Sequence, residues 1–319
     1  MSNKTISKNF AFVISVLIFS FLTNACFQVS SRDENNKNKA SNQDSKIYSG
    51  PKIVGKIKTK EIDESSGLAA SKCTENVFWT HNDSGDGAYI FALDSKGEKL
   101  ATYKVKNAVN NDWEDIAEIK NPNGECFLYI GDIGNNARTK TVQTVYRVKE
   151  PTDFSKDSSK KNPLMTDEAE KIKFSYPDVS HDAETLLVHP QTGDIYIITK
   201  RLSGAAGIYK LKAGFDKSKT VKPEKISDFS VPAVPEGFLT GGDISPDGRR
   251  VVFCDYFGAY EILLPENAKN FDDIWNEKPL IIELGTREQG EAIGYSADGN
   301  SIFATSENKN SPLIEVRRK

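Results

Sequence analysis

The sequence predicts an all-β protein, a β-propeller of five four-stranded blades whose last blade is closed by the N-terminal strand. Three observations lead there. Short apolar runs bounded by turn signals dominate the chain, and helix-period runs are scarce. These runs recur as an imperfect unit of roughly 50 to 70 residues, the spacing of propellers and arrays. The fifth unit ends at Lys319 one strand short, while an orphan strand, KIVGKIKTKE from Lys52, precedes the first unit.

Taken in order, the chain opens with Lys4 and Lys8, an apolar run from Phe10 to Leu22, and then Ala25-Cys26. Positive, apolar and small residues in that order form the pattern of a signal peptide, here 1–25. The run is shorter than the about 20 residues that span a bilayer. Thr23-Asn24-Ala25-Cys26 resembles the lipobox of bacterial lipoproteins, with the aliphatic Leu22 one place further back than usual. Cys26 is therefore expected to be lipidated, anchoring the protein to the membrane at the bacterial cell envelope and facing outside the cytoplasm. Residues 26–50 are Ser, Asn, Asp, Lys and Gln with little apolar content. Such a stretch cannot offset its own ordering entropy and reads as a tether. The propeller is then 51–319.

Each unit opens on a small or acidic residue before an aliphatic one: ESSGLAAS at Glu64, WEDIAEI at Trp113, DAETLLV at Asp182, GGDIS at Gly241 and GEAIGYS at Gly290. Turns follow (NPNGE, HPQTGD, SPDGR, SADGN, with SKCTEN irregular), then the strands NVFWTH, CFLYIGD, DIYIITK, RVVFCDY and SIFATSE. Third strands are AYIFALD, QTVYRVK, GIYKLKA, AYEILLP and LIEVRRK. Four units add a fourth: KLATYKV, EKIKFSY, EKISDFS and PLIIELG. Pairing the orphan strand into the fifth blade removes the edge an incomplete blade would expose. The clearest short helix signal is Asn267 to Trp275.

Strand alternation places the start of each inner strand and the turn between second and third strands on one face. THNDSGDG (from Thr80), GDIGNNAR, TKRLSG, CDYFG and TSENKN should therefore meet at one mouth of the channel. The acids Glu64, Asp112, Glu114, Asp115, Asp182, Glu184, Asp243 and Glu291 point to the same mouth. Short acids at strand starts also cap backbone amides. Many carboxylates in one narrow channel, however, need a cation, a proton, or compensation by Lys200 and Arg201. The expected basin is Asp83, Asp86, Glu114, Asp115, Glu184 and Glu291, with His81, Asn82, Asp132 and Arg201 at its rim. Glu114, Asp115, Glu184 and Glu291 are the expected metal ligands. Hard oxygen donors favour Ca²⁺ or Mg²⁺ over zinc.

Asn82, Ser84, Asp86 and Gly87 match the first half of a calcium loop, but its twelfth position is Leu93, which excludes an EF-hand. Motifs for nucleophilic-serine, zinc-protease, P-loop and dinucleotide chemistry are absent from the sequence. Net charge is −3 with the signs interspersed, which argues against a nucleic-acid partner. Trp79 and Trp113 are expected to pack between blades. Cys73 and Cys126 occupy the same turn of adjacent blades and are expected to form a disulfide, leaving Cys254 reduced in the core.

The segments ESSGL, THNDSGD, DWEDIA and GDIGNNAR resemble a family of bacterial secreted or lipid-anchored propellers, largely without assigned function. The resemblance covers most of residues 60–316. Asn135 stands where that family carries an acid. The strand starts are also similar to those of phytase-like and esterase-like propellers, which implies a cation-dependent hydrolase. The expected function is binding of a divalent cation, a small polar ligand or a cell-surface partner at the acidic mouth. The alternative is hydrolysis of a phosphate ester, an ester or a glycan.

Overall fold

The computed structural model describes residues 47–215 and 219–319; the expected signal peptide, Cys26 and most of the tether lie outside them. Strand β1 (Lys52–Lys56) precedes blade 1, which is β2 (Ser65–Ala70), β3 (Val77–Asn82), β4 (Tyr89–Asp94) and β5 (Lys99–Lys106). Blade 2 holds β6 (Trp113–Lys120), β7 (Cys126–Asp132) and β8 (Gln143–Lys149). The chain then adds β9 (Leu164–Glu168) to the outside of blade 1 and returns as β10 (Glu170–Phe174), the fourth strand of blade 2. Blade 3 is β11 (Ala183–Val188), β12 (Ile195–Thr199), β13 (Ala206–Leu211) and β15 (Glu224–Phe229), while β14 (Thr220–Val221) pairs outside β10. Blade 4 is β16 (Gly241–Ile244), β17 (Arg250–Cys254), β18 (Ala259–Leu263) and β19 (Leu280–Ile282). Blade 5 is β20 (Ala292–Tyr295), β21 (Ser301–Thr305) and β22 (Pro312–Arg317), and β1 fills its outer place. The five blades and their closure are as the sequence predicts.

The closing pair is antiparallel, with Lys52 opposite Glu315 and Lys56 opposite Pro312. Because β22 leaves the mouth face and ends on the opposite face, β1 enters from that opposite face. Packing begins before Lys52. Tyr48, assigned to the tether by composition, is buried and bridges to Arg318. Its hydroxyl donates to Glu261 Oε1 at 2.5 Å, an atom that also accepts from Tyr295. Arg318 pairs with the other oxygen at 3.0 Å, so the fully buried Glu261 ties blade 4 to both strands of the closure.

Inner strands are buried along their whole length because each packs against its neighbours on both sides. A five-blade ring leaves little room there. A Cβ on Gly294 would lie 2.3 Å from the Leu68 carbonyl oxygen, and one on Gly241 2.3 Å from that of Glu291. Trp79 and Trp113 are fully buried in the cluster shared by blades 1 and 2. On the face away from the mouth, the predicted Cys73–Cys126 bond joins those blades with a Cα separation of 6.1 Å. Cys254 is buried and free. The helix signal becomes one short 3-10 helix, Phe271–Asn276, capped by Asn270.

The excursion between β8 and β10 is absent from the repeat and explains its unequal spacing. It straps blade 1: Phe154 packs on Trp79, Ser158 Oγ accepts the Thr102 amide at 2.8 Å, and Lys160 reaches Asp86.

Candidate functional site

The mouth is built from strand ends of all five blades. Asp83 follows β3, Asp112 and Glu114 stand at the start of β6, and Glu184 at the start of β11. Lys200 follows β12, Tyr256 follows β17, Glu291 precedes β20 and Glu307 follows β21. Glu114 and Glu184 occupy equivalent places, each at an irregularity in pairing between inner and second strands. A bulge re-aims a side chain that regular alternation would send elsewhere.

One carboxylate oxygen from each of Asp83, Asp112 and Glu114 lies within 4.8 Å of the other two. Their backbone is held in place. The Asp83 amide donates to the Glu64 carbonyl at 3.0 Å, and Asn110 Nδ2 donates to the Asp83 carbonyl at 3.1 Å. Asp132 accepts the Asp112 amide at 2.9 Å and Asn111 Nδ2 at 2.6 Å. Gly134 closes over the group. A Cβ there would fall 1.9 Å from Glu114 Oε1, so any larger residue in the GDIG turn has to displace that carboxylate.

Across the mouth, Lys200 Nζ donates to Glu184 Oε1 and lies 4.6 Å from the ring centre of Phe238 and 5.3 Å from that of Tyr256. Glu291 and Glu307 hydrogen-bond each other through their carboxyl groups. That contact raises Glu291 further above the carboxylate range, since like charges so close disfavour double ionisation.

Burial is the largest influence on Asp83, Glu114, Glu184, Glu291 and Glu307. It pushes Asp83 up to about 7, with Glu291, Asp112 and Glu64 adding and a bond from the Ser84 amide opposing. Glu114 is raised well above the carboxylate range by burial, then by Asp83, Glu184 and Asp112, against Lys200. Glu184 and Glu291 are raised for the same reason, with Lys200 again opposing. Two acceptors remain unmet: Asp83 Oδ1 and Glu184 Oε2 are buried without a hydrogen-bond partner. Such atoms are uncommon in folded proteins and call for an explanation, of which a bound water, donor or ion is one.

Asp83, Glu114, Glu184 and Glu291 thus meet as the sequence predicts. Asp115 does not join them. Its Oδ1 accepts the Ile116 amide at 2.8 Å, and its Oδ2 accepts Leu186 at 3.0 Å and Gly242 at 3.3 Å. With both oxygens spent on amides of blades 2, 3 and 4, it is a staple of the inner ring rather than a ligand. Asp243 does the same with Ile244 and Tyr295.

Asp86 also lies aside, held by Lys160 at 2.6 Å and Asn82 Nδ2 at 2.7 Å. Asn82 is buried and shapes its loop, its Oδ1 accepting the amides of Asp63 and Glu64. His81 is fully buried edge-on to Trp113 rather than at the rim, and burial lowers its pKa to about 4, leaving it neutral. Asp132 positions Asp112 without joining the carboxylate group. Arg201, placed at the rim from sequence, is half-buried with its amide donating to the Gly237 carbonyl at 2.8 Å, and its neighbour Lys200 faces the carboxyls. Glu307 and Tyr256 were not singled out from sequence. Their signal was their place in the turns TSENKN and CDYFG.

No protein-family model and no curated protein matches the chain. Among solved structures it is similar to a gluconolactonase from Xanthomonas campestris, with TM-score 0.42 and 12% identity, covering 80% of this chain and 72% of that one. It is also similar to the soluble aldose sugar dehydrogenase of Escherichia coli in its apo form, with TM-score 0.45 and 7% identity, covering 85% of this chain and 99% of that one. Both likenesses are of architecture, and neither assigns chemistry to a residue here.

Proposed function

We propose that this propeller binds one divalent cation, Ca²⁺ or Mg²⁺, through Asp83, Asp112 and Glu114, and through that ion a small polar ligand at the mouth. One observation carries the reading. Three carboxylate oxygens from two blades converge within 4.8 Å, and the Asp83 Oδ1 beside them is buried without a partner. Oxygen-only donors of this kind suit hard cations. Asp83 and Asp112 replace Asp115 in the ligand set expected from sequence. Glu184 and Glu291 form the far wall.

The leader and lipobox pattern supports attachment through Cys26 to the envelope membrane, outside the cytoplasm. In that arrangement the described chain enters on the face opposite the mouth, which leaves the mouth open to solvent-borne ligands. Labelling with a radiolabelled fatty acid, against Cys26→Ala, tests the anchor: equal label in both forms removes it.

The Glu291–Glu307 pair favours a second reading, a cation-dependent hydrolase in which that pair exchanges a proton with a substrate oriented by the ion. Melting with and without millimolar Ca²⁺, Mg²⁺ or chelator tests the first reading. A midpoint indifferent to all three removes the metal. Ca²⁺-dependent turnover of chromogenic phosphate, ester or glycoside substrates, lost in a folded Glu291→Gln, would favour the second.

A further inference from the structure

We infer that Lys200 is an internal ammonium seated in a second cation site, formed by Glu184, Glu291, Phe238 and Tyr256, and that it thereby limits the mouth to a single divalent ion. The inference rests on the cation reading of the mouth but concerns different side chains.

The seat has the composition of an ammonium receptor. Nζ donates to Glu184 Oε1, and the rings of Phe238 and Tyr256 lie 4.6 and 5.3 Å away. An ammonium over aromatic faces gains from their quadrupoles, most strongly when desolvated. The two rings brace each other edge-to-face with centroids 4.9 Å apart. Both charged partners are withdrawn from solvent, with side-chain exposures of 12% for Lys200 and 5% for Glu184. Glu291 is a second carboxyl facing the same ammonium.

The seat also offers more oxygen donors than its occupant uses. Glu184 Oε2 is buried and has no partner, so Lys200 satisfies one oxygen of that carboxylate and leaves the other unmet. A divalent ion could take both oxygens of Glu184, with Glu291 and Glu307 behind it. Lys200 prevents this by supplying a single positive charge on a tethered stem at high effective concentration. In the Asp83, Asp112 and Glu114 group the corresponding cation is Lys140, whose Nζ pairs with Asp112 Oδ2 at 2.9 Å. Its side chain is 34% exposed against 12% for Lys200, so an ion can displace it into solvent more readily than it can displace Lys200.

Calorimetric titration of Ca²⁺ into the full-length chain tests the inference by stoichiometry. Wild type is expected to bind one ion, Lys200→Met two, and Lys200→Arg one. The double variant Glu184→Gln/Lys200→Met is expected to return to one. A folded Lys200→Met that binds one ion overturns the inference, as does a Lys200→Arg that binds two. If wild type binds none and Lys200→Met binds one, the cation reading of Asp83, Asp112 and Glu114 fails while this inference stands. If neither binds, both fall. Lys200→Gln, which keeps a donor for Glu184, carries the same expectation of two should the Met variant not fold.

Discussion

Asp115 Oδ2 on blade 2 accepts the backbone amide of Leu186 on blade 3 at 3.0 Å, deep in the inner ring. A carboxylate that also holds Gly242 and its own neighbour Ile116 is a structural clasp. Asp115→Ala leaves three buried amides without acceptors, and stability is expected to fall by about 3 kcal/mol. Denaturant unfolding measures this. The fraction that stays folded should keep its full response to Ca²⁺; a selective loss of that response would place Asp115 in the ligand site after all.

Glu114 should show the opposite pattern. It is buried among Asp83, Asp112 and Glu184, so its charge destabilises the cation-free protein. Glu114→Gln is expected to raise the cation-free Tm by a few degrees and to abolish the rise produced by Ca²⁺. In wild type that rise corresponds to about 2.7 kcal/mol at a hundredfold excess over Kd. Gly134→Ala tests the same carboxylate from outside. Its Cβ would displace Glu114 Oε1, so the Ca²⁺ response should weaken in a folded protein.

Asp83 sets the pH dependence. Its folded pKa of about 7 lies above the ordinary 3.8, so the folded state holds a proton that the unfolded chain has released. The stabilising contribution is full below the unfolded value and is lost as pH rises through about 7. A cation competes for the same oxygen, so its effect runs the other way. The Ca²⁺-induced gain in Tm is expected to be small near about pH 5 and to grow through about pH 8. Glu291, Asp112, Glu64 and Glu114 face this group and broaden the transition. A gain that stays level across that range counts against Asp83 as a ligand.

The Cys73–Cys126 bond closes a loop of 53 residues between adjacent blades. Chain entropy alone assigns it about 4 kcal/mol. Cys73→Ser/Cys126→Ser should lower the unfolding midpoint accordingly without changing Ca²⁺ stoichiometry, since the bond lies on the face away from the mouth. A change in stoichiometry would show that the two faces are coupled.

Much of this architecture could be read from the chain. Turn signals and second strands recur at each blade, so blade order, closure, the disulfide and the shared face of THNDSGDG and WEDI follow from alternation. The site was legible only to within a residue. Glu114 and Asp115 are consecutive acids, and a bulge in the pairing of β6 with β7 decides which one faces the mouth. Lys200 and Arg201 differ by one position at a strand end, where no period specifies direction. Asp86 looked free because its partner, Lys160, lies in an excursion that carries no repeat signature.

The seam between β1 and β22 also has a mechanical meaning. A pull on the chain preceding Ile47, opposed by a load held at the mouth, runs along the axis of β1, because that strand rises from the far face toward the mouth. Its rungs to β22, and the bonds from Ser49 to Arg317 and Ile57 to Ser311 at either end, then bear force together in shear. A strand peeled from its end would surrender them one at a time. The ring is thus fastened against a pull along its first strand.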